Sequence, residues 1–160
     1  MRALPDAVVR RPSGRPRVAR GAGRSLCYAR RVLSFPTESV AALVSRHPEL
    51  SLLVLHGSRA RGDEHPASDW DLAYLADGPL DPLALAADLR DALGSDDVDL
   101  ADLGRASGLL RYRVARDGVL LYQATPGRFD DERVRWVGFW LDVAPTVREA
   151  HDAVLTGLVR

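Results

Sequence analysis

Four apolar residues, Leu52 to Leu55, run into His56-Gly57-Ser58, and ten residues further on the chain reads Asp69-Trp70-Asp71. No other feature narrows the fold as much. The apolar run is too short for a helix and fits a buried strand. A glycine at its end lets the backbone turn sharply and come close to a ligand. Residues 59–61 suit one short helical turn, whose first amides lack intrahelical partners and would face that ligand. Asp69 to Leu75 alternates in polarity and reads as a second strand, so Asp69 and Asp71 leave one face with Cα atoms roughly 6.5–7 Å apart. Asp97 to Leu103 alternates again and sets Asp97 and Asp99 on one face of a third strand.

The remaining text alternates helices with these strands. Pro36 and Thr37 mark a helix start, followed by Val40, Leu43, Val44 and His47 at helical spacing. Asp81 and Pro82 open a helix that Gly94 closes. Residues 105–116 read as a weaker helix, stopped at Asp117-Gly118, and Val119 to Tyr122 as a fourth strand. From Phe129 onward the pattern is helical, expected in two pieces broken before Pro145. The fold expected is α/β (α+β in the looser sense): a small mixed sheet flanked by helices, with helices at the C-terminus. The expected divisions are a head over residues 1–31, a core over 33–125 and a helical segment over 126–160.

Charge separates the head from the rest. All 22 basic residues are arginines, balanced by 22 acids. Residues 1–31 hold nine arginines and one acid, Asp6, whereas residues 32–160 carry a net charge of −8. The head also contains Pro5, Pro12 and Pro16 and has no apolar periodicity. It is expected to be disordered and without function, as a segment translated from a start codon placed too early would be. The rival readings are a nucleic-acid arm, whose binding would depend strongly on salt, or a targeting peptide. No apolar run approaches the roughly 20 residues that span a bilayer. Cys27 has no cysteine partner, and no Cys/His cluster suggests zinc. A single cytoplasmic domain is the expectation.

Clustered carboxylates repel, by about 4 kcal/mol for a close pair at an effective dielectric near 20. They either take up protons or bind a divalent cation. Oxygen-only ligands favour Mg²⁺ or Mn²⁺. A phosphate-cradling turn beside a metal-binding Asp-x-Asp points to phosphoryl or nucleotidyl transfer.

The Gly-Ser, ten-residue, Asp-x-Asp spacing resembles the signature of the polymerase-β-like nucleotidyltransferase superfamily. Its fuller form, GSRARG followed by SDWDL, resembles the minimal nucleotidyltransferases, specifically the MntA-type antitoxins paired with HEPN-domain toxins. VDLADL and DGVLLY are similar to later pieces of the same pattern, so the resemblance spans about residues 36–145. Trp70 stands where such sequences more often carry an aliphatic residue, and it still fits a buried strand face.

The resemblance implies that Gly57 and Ser58 hold a triphosphate, Ser58 through its hydroxyl and amide. It implies that Asp69 and Asp71 bind two Mg²⁺ or Mn²⁺ ions, and that Asp99 completes the metal site and accepts the proton of the attacking hydroxyl. Asp97 shares the face of Asp99 and is the alternative third carboxylate. Arg59 or Arg61 would neutralise phosphate charge. The reaction implied is transfer of AMP from ATP to a hydroxyl, by resemblance a tyrosine of a HEPN ribonuclease toxin. Two alternatives stand beside it: an antitoxin that only masks its toxin, and a small-molecule adenylyltransferase of the aminoglycoside-modifying kind. Gly62 is expected to end the short helix. His56 is assigned no role, and His47, His65 and His151 are expected on the surface. Trp136, Phe139, Trp140 and Leu141 form an aromatic and apolar stripe, read as core or as a docking patch.

Overall fold

Two hydrophobic clusters, one on each face of a four-stranded sheet, organise residues 37–158, which the computed structural model of the chain describes. The head over residues 1–31, with Cys27, lies outside the described residues. β1 (Leu50–Leu55) is buried along its whole length. It sits between β2 (Trp70–Ala76) and β4 (Val119–Gln123) and is antiparallel to both. β3 (Val98–Asp102) pairs with β2 in parallel, giving the order β3-β2-β1-β4. A parallel neighbour requires a crossover, and the helix between the two strands supplies it.

Strand alternation sorts the sheet's two faces. Leu53, Leu55, Leu72, Tyr74, Val98 and Val119 share one cluster with Leu43, Leu85 and Leu89. The last three come from α1 (Thr37–Arg46) and α3 (Pro82–Leu93). α2 is the short Gly57–Arg61 turn at the end of β1. On the opposite face Leu52, Val54, Ala73 and Leu103 meet Val114 and Ala115 of α4 (Gly108–Asp117) and Phe129 and Trp136 of α5 (Arg128–Leu158). Each fully buried leucine contributes about 1.5–3 kcal/mol through removal from water. The Asp81 signal behaves as written, accepting from the Leu83 amide at 2.9 Å, and Ser107, not singled out in the sequence, caps α4 by accepting from the Leu110 amide at 3.2 Å.

Three expectations change. The C-terminal helix is one piece of 31 residues that carries Pro145 inside it. Proline removes one backbone hydrogen bond and crowds the carbonyl four residues earlier, here that of Leu141. Both residues are exposed, so water can reach the released carbonyl. His47 is buried at 7% exposure, because its ring meets Asp88 at 2.7 Å and ties α1 to α3. The aromatic stripe divides: Trp136 is core and Trp140 stacks on Tyr112 at 5.8 Å, while Phe139 and Leu141 are exposed. His65 and His151 are exposed as expected. Among the described residues no helix is long and apolar enough to cross a membrane.

Candidate functional site

β1 delivers Gly57 to the end of the sheet, and the His56 amide donates to the Asp71 carbonyl at 2.8 Å, fixing the turn against β2. Gly57 adopts a positive φ of 68°, and a Cβ there would overlap the Asp71 carboxylate. Only glycine allows both the conformation and the approach. The Ser58 carbonyl then accepts from the Gly62 amide at 2.8 Å, and Gly62, at φ 81°, ends α2 as the sequence indicates.

β3 adds the next carboxylate. Its parallel register sets Asp99 directly beside Asp71 and Leu100 beside Leu72. Asp71 and Asp99 therefore share the sheet face that carries Ala73 and Ala101, the face covered by α4 and α5. Asp97 stands just before β3, exposed, with its carbonyl accepting from the Trp70 amide at 2.8 Å.

Asp69 lies one residue ahead of β2 and is exposed. Arg59 anchors that position: its Nε donates to the Ser68 and Asp69 carbonyls at 3.2 and 3.1 Å, and its guanidinium lies 4.4 Å from the centre of the Trp70 ring. Of the two arginines expected to meet phosphate, Arg59 is thus engaged in placing Asp69, and Arg61 is the one that reaches the cavity. Arg61 also pairs with Asp63 at 3.1 Å, across an exposed surface.

The cavity has a volume of about 470 Å³. It is lined by His56, Gly57, Arg61 and Asp71 and, from α4, by Leu110, Arg113, Arg116 and Asp117. Leu110, Arg113 and Asp117 recur at i, i+3 and i+7, which puts them on one helical stripe. Sequence reasoning passed over these residues and His56. The signal was present as the run Arg111, Arg113, Arg116 in the helix after β3, but it needed the docking of α4 to give it a direction.

His56 sits close enough to Asp71 and Asp99 for both carboxylates to favour its protonated form. Burial outweighs them, and its pKa lies below the ordinary histidine value. Its Nε2 is buried without a hydrogen-bond partner among the described residues.

The donor set suits a hard divalent cation in part. Asp71 and Asp99 offer neighbouring carboxylates, with no thiolate among the described residues, which fits Mg²⁺ or Mn²⁺. Among the described residues no three His, Cys, Asp or Glu side chains are gathered as a ready cation cluster.

Comparison with known proteins adds three findings. Residues 38–126 match the family described as polymerase beta, nucleotidyltransferase. The chain is 35% identical over 100 residues to the protein adenylyltransferase MntA of Aphanizomenon flos-aquae, covering 55% of this chain and 67% of that relative. Solved structures share the fold, and two of them bear on function. One is a toxin-antitoxin complex with AMP-PNP, 32% identical at a TM-score of 0.64 over 74% of this chain and 98% of the other. The second is an MNT antitoxin with a tri-AMPylated HEPN toxin of Shewanella oneidensis, 29% identical at a TM-score of 0.60 over 78% and 98%.

Proposed function

The chain belongs to the polymerase beta nucleotidyltransferase family, and from that premise we propose that it is a protein adenylyltransferase that silences a HEPN-domain toxin. The observation that carries this reading is the contact of the Gly57 turn with Asp71, in a cavity beside the Asp71–Asp99 pair. The relatives support the substrates: an ATP analogue in one toxin-antitoxin complex and AMP on a HEPN toxin in another.

In this reading an acceptor hydroxyl oxygen bonds to the α-phosphorus of ATP. The bond from that phosphorus to the β-phosphate bridging oxygen breaks, so AMP is transferred and pyrophosphate leaves. Asp99 takes the hydroxyl proton, and its position beside Asp71 keeps it at the reacting end of the sheet. Gly57 and Ser58 bring the start of α2 to the triphosphate, with the Ser58 hydroxyl as a further donor. Arg61 neutralises part of its charge. Asp69, Asp71 and Asp99 would hold divalent cations, which when bound neutralise the triphosphate and align the incoming and leaving oxygens. The acceptor is a tyrosine of the toxin.

The test mixes the protein with labelled ATP, Mg²⁺ and the cognate HEPN protein. The expected result is label on the toxin at substoichiometric enzyme, lost in Asp69→Asn and Asp71→Asn. A toxin that is neutralised only at equimolar protein, with both variants as effective as the parent, supports masking and overturns the enzymatic reading.

A further inference from the structure

Resting on the adenylyl-transfer reading above, we propose that Arg113 binds the β- and γ-phosphates of the nucleotide and so holds the pyrophosphate as it leaves. α4 carries three arginines with different fates. Arg111 donates to the Leu103 and Gly104 carbonyls at 2.7 and 2.8 Å, bracing the turn after β3. Arg116 grips Asp117 through two nitrogens, the closer contact at 2.6 Å. Arg113 lies between them on the cavity wall, exposed, with no hydrogen bond or ion pair among the described residues.

The cations around the cavity are therefore unequal. Arg61 is paired with Asp63 and Arg116 with Asp117, so each already has a carboxylate beside it. Among the described residues Arg113 is the guanidinium at this cavity with no acid of its own, and it lines the same cavity as Gly57 and Asp71. A triphosphate whose α-phosphorus lies near the carboxylates carries more charge on its β- and γ-phosphates than Arg61, already paired with Asp63, offsets alone. A guanidinium suits them, because its planar fork takes two phosphate oxygens at once. Arg113 is exposed because the neighbouring positions Leu110, Val114 and Ala115 pack against the core and fix the face that α4 turns inward.

Equilibrium titration of the full chain with ATP and with AMP tests this, because AMP lacks the phosphates in question. Arg113→Ala is expected to weaken ATP about 10–100-fold, the range for losing charge-assisted hydrogen bonds, and to leave AMP unchanged. Pyrophosphate should inhibit the variant correspondingly less, and Arg113→Lys should recover part of the ATP affinity. Arg105→Ala, at a 92%-exposed guanidinium outside the cavity, is expected to behave as the parent. Arg113→Gln keeps a polar, helix-compatible side chain without the charge and must show the same loss should the alanine variant fold poorly. ATP affinity within about twofold of the parent in Arg113→Ala or Arg113→Gln, while the parent still transfers AMP, overturns the role of Arg113 alone. A parent that binds no ATP overturns the adenylyl-transfer reading and this role together.

Discussion

Gly57 and Asp71 approach so closely that a methyl group on the first would occupy the space of the second's carboxylate. The contact joins the turn that ends β1 to the strand beside it, and in the proposed function it would link nucleotide approach to carboxylate placement. Gly57→Ala tests that link. An alanine at φ 68° costs about 1–2 kcal/mol from its backbone alone, and the overlap forces Asp71 aside. The expected outcome is a folded protein about 1–3 kcal/mol less stable in urea titration, with AMP transfer reduced at least ~100-fold. A variant that keeps most of its transfer rate would show that this approach is not needed.

Asp71 and Asp99 face each other across a parallel pair of strands, where like charges oppose folding. Removing one charge should separate stability from activity. Asp99→Asn is expected to raise stability in chelator by about 0.2–1 kcal/mol and to lower AMP transfer about 10²–10⁴-fold, the range for a lost general base. Adding Mg²⁺ should raise the melting temperature of the parent more than that of the variant. Equal shifts in the two proteins would remove Asp99 from the cation site.

Much of this arrangement was legible in the chain, for reasons tied to particular residues. The Leu52–Leu55 run has no alternative but a buried strand, and Gly57 declares a turn that no side chain tolerates. Period-two alternation placed Asp71 and Asp99 on strands, though only the parallel register of β2 and β3 makes them neighbours. What the sequence hid depends on distant partners. His47 looked like a surface residue until α3 brought Asp88 to it. That Arg59 also donates its Nε to the Ser68 and Asp69 carbonyls could not be read from the sequence. Pro145 looked like a break, but an exposed helix back tolerates a lost hydrogen bond.

That hold of Arg59 on the start of β2 gives a third prediction. The guanidinium fixes the backbone at Asp69 and lies on the Trp70 ring, so its loss should loosen Asp69 and leave the Gly57 turn in place. Arg59→Ala is expected to reduce kcat for AMP transfer about 10–100-fold with little change in KM for ATP. Arg59→Lys should rescue poorly, because an ammonium cannot lie flat on indole while donating to two carbonyls. A rise in KM with kcat intact would instead make Arg59 a phosphate ligand.

His56 supplies a prediction about pH. Burial lowers its pKa, against the opposing pull of Asp71 and Asp99. The unfolded chain therefore binds a proton near the ordinary histidine value, about 6.5, while the folded chain still resists it. Above that pH the group contributes nothing to the pH dependence. As pH falls through about 6.5 toward the folded value, the unfolded state gains protons first and stability declines. His56→Phe removes this contribution and the buried unpartnered Nε2 with it. Urea unfolding between pH 7.5 and 5, in chelator so that no cation holds the carboxylates, is expected to show a flatter stability profile for the variant than for the parent. Parallel profiles would mean that His56 keeps an ordinary pKa, and that its ring reaches water in solution.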